Sequence, residues 1–253
     1  MIDLLQNGLY SQIAYPSEGA LILGTLGCIL AAALLPYLLG SLNTSILISR
    51  LLFRDDVRTH GSGNAGLSNM LRTFGAKGAV LTLLGDILKT ALCIFIGGLF
   101  MGLQYQGPYA VGFGGYMGMF FCVLGHTFPV FYRFKGGKGV LCSAIGIAIL
   151  SPYVFLILLL VFAILVTFTK YISLGSIVAS AMYPLFLNLM FKVSYSSTPP
   201  AHAVLCSFVM AAMVVWMHRS NISRLWHGEE NKLSFRHHEV NTSDKENGED
   251  PEK

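Results

Sequence analysis

Several apolar runs in this chain of 253 residues are long enough to cross a lipid bilayer. Residues 109–131 include no Asp, Glu, Lys or Arg, and residues 21–52 contain only Arg50. A membrane-spanning helix needs about 20 predominantly apolar residues. Charged residues make up 12% of the chain, about half of the roughly 25% found in soluble domains. Because lipid cannot hydrogen-bond to the backbone, each run must form a helix. The sequence therefore predicts an all-α integral membrane protein.

Seven such segments can be counted, and one of them is unusually short. They cover residues 21–52, 78–103, 109–131, 140–150, 153–168, 172–191 and 202–217. The fourth segment has only 11 residues, fewer than the roughly 17 to 25 that a span requires. We expect it to tilt, or to stop short of the far surface behind its neighbours.

Lysine and arginine residues collect in alternate connections between these segments. They occur in residues 54–77 and 133–138, at Lys170, and after Met217, whereas the opposite connections contain only Lys192. Short loops rich in Lys and Arg stay on the cytoplasmic side. Seven spans then place the N-terminus outside and the C-terminus in the cytoplasm. The net charge of +4 is mainly a signal of this orientation, and no basic tract indicates nucleic-acid binding.

The composition predicts three regions along the chain. Residues 1–20 form a short extracytoplasmic segment, and residues 21–231 form the seven-helix membrane domain. Residues 232–253 are polar and acidic, so they bury too little apolar surface to fold. We expect this tail to be a disordered cytoplasmic segment.

The sequence predicts neither a cofactor nor a bound metal. The histidines are scattered, and no group of His, Asp and Glu has the spacing of metal ligands. All five cysteines lie inside apolar segments, where they are expected to serve as small packing residues. They are Cys28, Cys93, Cys122, Cys142 and Cys206.

The first polar segment combines glycines with hydrogen-bonding side chains. Gly61, Gly63 and Gly66 alternate with Ser62 and Asn64, and Ser68, Asn69 and Arg72 follow. Glycine lets backbone N–H groups approach a ligand closely, and the guanidinium of an arginine suits phosphate. Asn64 or Ser68 is expected to cap a helix whose N-terminus favours anions. The alternative is an ordinary turn with a helix cap.

The second polar segment surrounds a lysine with glycines. Gly125-His126 precedes the run Lys135-Gly136-Gly137-Lys138-Gly139. Such a backbone can wrap an oxyanion while the ammonium group neutralises its charge. Gly139 stands where an ATP-binding loop would have Ser or Thr, so an ATPase is not indicated. The alternative is a flexible basic turn at the membrane surface.

Two further features complete the polar set. His218, Asn221 and Arg224 are three residues apart, which places them on one helical face, and Gly228-Glu229-Glu230 follows them. An interfacial anchor is the alternative for that face. Asp86 and Lys89 are charges within a span, which indicates function by default, but a structural ion pair is the favoured interpretation here.

A site rich in Gly, Lys, Arg, Asn and Ser and poor in carboxylates is suited to anions, and its substrates are expected to carry phosphate. A small phosphate or anion transporter is the alternative. Transporters tend to show inverted repeats and broken helices at the midplane, whereas these motifs cluster at one face and no repeat is visible. A non-catalytic scaffold would not need the glycine loops.

Together these motifs resemble the bacterial acylphosphate-dependent glycerol-3-phosphate acyltransferases, the PlsY family. The resemblance extends between Gly40 and Lys232. It is carried by Gly61-Ser62-Gly63-Asn64, Asn69, Arg72, Asp86, Lys89, Gly125-His126, Pro129, Lys135-Gly136-Gly137-Lys138-Gly139, His218-Arg219, Asn221-Ile222 and Arg224-Leu225. The sequence departs from the family's pattern at Leu67-Ser68, where Ala-Thr is usual, at Thr90, where Gly is usual, and at Asn43-Thr44-Ser45.

The resemblance implies a seven-helix enzyme of the bacterial inner membrane whose active site faces the cytoplasm. The implied reaction transfers an acyl group from acyl phosphate to the sn-1 hydroxyl of glycerol 3-phosphate, giving lysophosphatidate and phosphate for phospholipid synthesis. An enzyme that forms acyl phosphate and the surrounding membrane lipid are the implied partners. The phosphate of glycerol 3-phosphate is expected to take the hydroxyl proton, since no protein base is evident near the loops.

The resemblance also implies roles for individual residues. The implied catalytic residues are Ser62, Arg72, Lys138, His218 and Asn221. The implied substrate-binding residues are Gly61, Gly63, Asn64, Ser68, Asn69, His126, Lys135, Gly136, Gly137, Gly139 and Arg224.

Overall fold

Helices account for most of the residues that a computed structural model describes, which are 18–105 and 108–233. The predicted terminal segments, 1–20 and 232–253, fall almost entirely outside the described residues. The α-helices are α1 (Glu18–Ser41), α2 (Thr44–Leu52), α3 (Leu67–Gln104), α4 (Pro108–Thr127), α5 (Val140–Leu150), α6 (Pro152–Thr169), α7 (Ile172–Tyr195), α8 (Ala201–Met217) and α9 (Arg219–His227). Two short 3-10 turns, Val57–Thr59 and Val130–Tyr132, precede α3 and α5.

The described residues contain five helical segments that are long and apolar enough to cross a membrane. They are Gly19–Leu52, Leu67–Gln104, Pro108–Tyr132, Pro152–Thr169 and Ile172–Ser194. A sixth arises if α8 and α9, which meet at a bend of 55°, are counted as one span. Helix α5 has 11 residues, so the short fourth segment has its predicted length. The prediction of an all-α membrane protein is confirmed, while the count of seven spans and the orientation of the termini stay predictions.

Large apolar side chains cover the outer surface of the helices. Leu23 is 72% exposed, Leu88 70% and Phe168 83%. In water such a surface would be an aggregation or interaction site, but in a bilayer it is the expected face toward lipid. The buried core instead contains many small and polar groups, which leaves room for a polar site inside the bundle.

Two breaks in the helices lie beside the polar segments. The first predicted span, 21–52, is two helices, because Asn43 stands between α1 and α2 and its side chain accepts a hydrogen bond from the backbone N–H of Ile46. Helix α3 is interrupted at Gly75, where φ is +70°. The residues of α3 before Gly75 therefore form a short helix of their own, joined to the long span that follows.

Helices α1, α3 and α4 pack closely through small residues. A Cβ atom added at Gly97 of α3 would lie 2.1 Å from the carbonyl oxygen of Gly114 in α4, and one added at Gly125 would lie 2.2 Å from the carbonyl oxygen of Tyr37 in α1. Small residues allow helix backbones in membranes to approach each other in this way. The close packing fixes the end of α4 and His126, which carries the second polar segment.

Candidate active site

The three polar segments meet at one end of the helix bundle. We call residues 61–66 the first loop and residues 133–139 the second loop. The guanidinium of Arg58 donates hydrogen bonds to the carbonyl oxygens of Tyr132 (3.4 Å) and Lys135 (3.2 Å), which joins the segment before the first loop to the second loop. Lys138 donates a hydrogen bond to Asn221 of α9, which joins the second loop to the third segment. Residues that are far apart in sequence therefore form one site.

Asn69 shapes the first loop. Its amide nitrogen donates to the carbonyl oxygens of Val57 (2.8 Å) and His60 (3.0 Å), and its amide oxygen accepts from the N–H of Ser62 (3.0 Å). The side chain is 1% exposed, and a Cβ atom added at Gly61 would lie 2.3 Å from its oxygen. These hydrogen bonds of Asn69 fix the backbone conformation of the first loop.

The remaining polar groups of the first segment lie at the surface. Ser62, Ser68 and Arg72 are exposed, and Asn64 is half-buried. Helix α3 begins at Leu67, so Gly66 holds the cap position rather than Asn64 or Ser68, and the prediction of a side-chain cap was wrong. Backbone folding around Asn69 brings Gly66 to the cap, which leaves the hydroxyl and amide groups of the segment available to a ligand.

The second loop is packed onto His126. The N–H of Gly137 donates to the carbonyl oxygen of His126 at 3.1 Å. A Cβ atom added at Gly136 would lie 2.1 Å from that oxygen, and one added at Gly137 would lie 2.2 Å from the imidazole Nε2. Gly139 has a φ of +80°, a conformation that favours glycine, and caps α5. The loop thus requires glycine both for space and for its backbone angles.

The side chain of Lys138 belongs to a polar cluster with Asn221, Arg224 and Glu230. Asn221 accepts a hydrogen bond from Lys138 and donates one to Glu230 at 2.7 Å. Arg224 donates to the other carboxylate oxygen of Glu230 at 2.8 Å. Burial lowers the pKa of Lys138 to about 8, despite the nearby charge of Glu230. An anion that binds Lys138 would stabilise its protonated form and replace Asn221 as its partner.

Glu230 is a poor proton acceptor in this arrangement. Burial alone would raise its pKa, but hydrogen bonds from Asn221 and Arg224 hold that pKa below its ordinary value. Both carboxylate oxygens already accept hydrogen bonds. Its position instead aligns Asn221 and Arg224 around Lys138.

His218 lies at the bend between α8 and α9. The ring is 2% exposed, and its Nδ1 is 2.7 Å from the carbonyl oxygen of Val214. A carbonyl only accepts hydrogen bonds, so Nδ1 carries the proton and Nε2 keeps its lone pair in the neutral ring. His218 can therefore accept a hydrogen bond at Nε2.

A buried ion pair lies beneath the two loops. Lys89 is 2.8 Å from Asp86 and 3.2 Å from Nδ1 of His126, so the predicted pairing of Asp86 with Lys89 is confirmed. The sequence predicted no group of metal ligands, yet Asp86, His126 and Cys142 place ligand atoms within 4.8 Å of one another. Sequence spacing missed this group because its members lie on three helices. The ammonium of Lys89 already occupies the position of a cation beside Asp86 and His126.

The sequence of this chain matches a known family. The family model described as glycerol-3-phosphate acyltransferase matches residues 30–228. The chain belongs to the glycerol-3-phosphate acyltransferase family. It is 43% identical to the glycerol-3-phosphate acyltransferase of Syntrophomonas wolfei over 204 residues, covering 81% of this chain and 96% of the relative. It is also 35% identical to the enzyme of that name from Clostridioides difficile over 201 residues, covering 79% and 93%.

Two solved structures of PlsY, an integral membrane glycerol 3-phosphate acyltransferase, have the same fold. The glycerol 3-phosphate form is 33% identical, with a TM-score of 0.68, and covers 81% of this chain and 96% of that one. The lysophosphatidic acid form is 32% identical, with a TM-score of 0.66, and covers 81% and 95%. The predictions of the family and of a membrane acyltransferase are confirmed, and the transporter alternative is not supported.

Sequence analysis assigned no role in the site to three residues that make hydrogen bonds within it. Arg58 contributed only to the charge count, Glu230 was one of two adjacent acidic residues, and Asn43 lay inside a predicted span. The structure places Arg58 between the loops, Glu230 between Asn221 and Arg224, and Asn43 at the base of both loops. The three-residue spacing of His218, Asn221 and Arg224 marked the third segment, but spacing gave no indication of the contacts that Arg58, Glu230 and Asn43 make.

Proposed function

We propose that this membrane acyltransferase moves an acyl group from acyl phosphate to the sn-1 hydroxyl of glycerol 3-phosphate. The hydroxyl oxygen forms a bond to the acyl carbonyl carbon, the bond from that carbon to the phosphate oxygen breaks, and inorganic phosphate leaves. The hydroxyl proton passes to the phosphate of glycerol 3-phosphate. The observation that carries this proposal is the convergence of two glycine loops with Lys138, Asn221 and Arg224 at one end of the bundle.

Each half of the site suits one phosphate group. The N–H of Gly137 already donates to His126, but the second loop offers Lys138 and the N–H groups of Gly136 and Gly139, which can stabilise the negative charge that develops on the leaving phosphate. The first loop offers Ser62 and Asn64, and the start of α3 adds the exposed fork of Arg72, which suits the phosphate monoester. Acyl phosphate is already activated, so a covalent enzyme intermediate is not required.

The other implied binding residues support this division. Ser68 and Lys135 are exposed beside the two loops, so both can reach a ligand from solvent. The sequence predicted that Asn69 contacts the substrate. We propose instead that Asn69 contacts the first loop, and that this loop binds the substrate. His126 likewise supports the second loop from below, through its carbonyl oxygen and its ring.

The donor is tested by measuring phosphate release and lysophosphatidate formation with purified full-length protein. Acyl phosphate and glycerol 3-phosphate together should give equal amounts of both products, and acyl phosphate alone should give little phosphate. Transfer from acyl-CoA or acyl carrier protein at a comparable rate would refute the proposed donor. Activity after exhaustive chelation should be unchanged, since the site holds its anions with Lys, Arg and backbone N–H groups.

We propose that the site faces the cytoplasm of a bacterial inner membrane. The basic residues beside both loops support this orientation. An engineered cysteine at exposed Lys135 should react with an impermeant thiol reagent only after the cells are opened. Strong labelling in sealed cells would contradict the orientation and leave the reaction itself untouched.

A further inference from the structure

Asn43 is a fully buried polar residue outside every motif of the site. It stands between α1 and α2 and is 0% exposed. Its amide oxygen accepts from the N–H of Ile46 at 3.2 Å, which caps α2. Its amide nitrogen is directed toward two backbone carbonyls, those of Ala65 and His126, each at 3.4 Å.

The neighbours of Asn43 fix the orientation of its amide. An N–H group can only donate to the amide oxygen, and carbonyls can only accept from the amide nitrogen. If the amide were flipped, its N–H groups would face the N–H of Ile46 and its oxygen would face the two carbonyl oxygens. None of these pairs can form a hydrogen bond. All three contacts therefore require the same orientation, and both donors of the amide are used at once.

The two carbonyls belong to the two halves of the proposed site. Ala65 lies in the first loop, directly after Asn64. The carbonyl oxygen of His126 also accepts the N–H of Gly137 in the second loop at 3.1 Å. The side chain of Asn43 is thus one group that contacts the first loop directly and the second loop through a single shared carbonyl.

The buried ion pair fixes both sides of this junction. Thr44, next to Asn43, donates a hydrogen bond to Asp86 at 2.5 Å, and Lys89 contacts the same oxygen at 2.8 Å. Lys89 also lies 3.2 Å from the ring of His126. The start of α2 and the end of α4 are therefore held at a fixed separation on either side of the Asn43 amide.

We propose that Asn43 is a positioning residue, which sets the distance between the two phosphate-binding loops through the two N–H groups of its amide. This inference rests on the proposed function, because it requires that each loop hold one of the two reacting molecules. Acyl transfer demands that the attacking oxygen and the acyl carbon be aligned, and a displacement of about 1 Å can lower such a rate about a hundredfold. Binding of either anion alone makes no such demand.

Two substitutions separate positioning from helix capping. Asn43→Ser keeps a side-chain oxygen for the cap, since Ser and Asn are about equally good at that position, but removes both N–H donors. Asn43→Ala removes the cap as well. Asn43→Asp keeps the shape and the cap oxygen, and places an oxygen toward the two carbonyls. Ser207→Ala is the matched control, because Ser207 is also 0% exposed and, within the described residues, its hydroxyl donates to Val204 of its own helix.

The experiment measures steady-state kinetics of the full-length enzyme with acyl phosphate and glycerol 3-phosphate varied in turn. The value of kcat is expressed per glycerol 3-phosphate site, counted by equilibrium binding in the same sample, so that loss of folded protein cannot imitate the effect. We expect Asn43→Ser and Asn43→Asp to lower kcat at least about tenfold, with both KM values within about threefold of wild type. Ser207→Ala should match wild type.

A normal kcat per site in Asn43→Ser, with only Asn43→Ala impaired, would show that Asn43 is a helix cap alone and would overturn the inference. An increase in one KM with unchanged kcat would also overturn it, because Asn43 would then serve one loop only. If wild type and Ser207→Ala both fail to use acyl phosphate, the proposed function is wrong instead. These outcomes distinguish the two proposals.

Discussion

Gly63 in the first loop and Gly137 in the second loop are needed for different physical reasons. In the first loop, Gly61 and Gly63 have φ of +56° and +67° and are exposed, and a Cβ atom at Gly63 would come no closer than 3.4 Å to the carbonyl oxygen of Arg58. In the second loop, Gly137 is buried, and a Cβ atom there would overlap the ring of His126. Gly63 is thus needed for its backbone angle alone, and Gly137 is needed for space.

Because of this difference, we expect substitutions of glycine in the two loops to have effects of different size. A left-handed angle in an ordinary residue costs roughly 1–2 kcal/mol and can relax at an exposed position. A steric overlap with a buried histidine forces the loop away from its support. We therefore expect the second loop to be the rigid half of the site and the first loop to be the adaptable half.

The largest expected effect follows from this contrast. Gly137→Ala would place Cβ 2.2 Å from Nε2 of His126 and 2.6 Å from the carbonyl oxygen of Ala65. The loop must move, so the acyl-transfer rate should fall about a hundredfold or more. The measurement is lysophosphatidate formation by protein that remains monodisperse on size exclusion. Gly63→Ala is the control and should lose no more than about tenfold, and the comparison fails if the order is reversed.

Removing the ammonium group tests the charge of the second loop. Lys138→Ala should raise the KM for acyl phosphate about tenfold to a hundredfold, because a hydrogen bond to a charged group contributes roughly 1.5–3 kcal/mol. The KM for glycerol 3-phosphate should change less. Varying each substrate in turn checks this, and equal increases in both constants would show that Lys138 serves both phosphates.

The pH dependence of the reaction should report the same lysine. Burial lowers the pKa of Lys138 to about 8, so the free enzyme loses this positive charge as pH rises through that value. The kcat/KM for acyl phosphate should therefore decline by about tenfold for each pH unit above it. Lys138→Arg keeps its charge at higher pH, and its profile should lack this decline. A decline that persists in the arginine variant belongs to another group.

A smaller effect is expected at Arg72, which follows the first loop in α3. Arg72 is exposed, and its Cδ would lie 3.5 Å from a Cβ atom added at Gly61. Arg72→Lys keeps the charge but loses the bidentate fork, which should raise the KM for glycerol 3-phosphate about tenfold and leave kcat nearly unchanged. A larger increase in the KM for acyl phosphate would reverse the assignment of the loops.

Family membership, the helical membrane fold and the pairing of Asp86 with Lys89 could all be predicted from the sequence. They depend on local signals, namely the length of apolar runs, the spacing of three residues between two charges in a helix, and motifs that can be read along the chain. The short fourth helix was predicted with the bounds that the structure gives, Val140–Leu150. The helix cap in the first segment was predicted wrongly, because Gly66 takes the cap position and no side chain caps α3.

The residue types that we propose to hold phosphate, and their position at the ends of apolar segments, could be read from the sequence alone. The way in which they are held together became visible only in the folded chain. Arg58 donates to the second loop, and Glu230 accepts from Asn221 and Arg224. Asn43 donates to the carbonyl oxygens of Ala65 and His126. The physical reason is that these contacts join atoms separated by many residues, and backbone carbonyls supply several of the partners. A carbonyl is present at every position, so its role is invisible until the chain has folded.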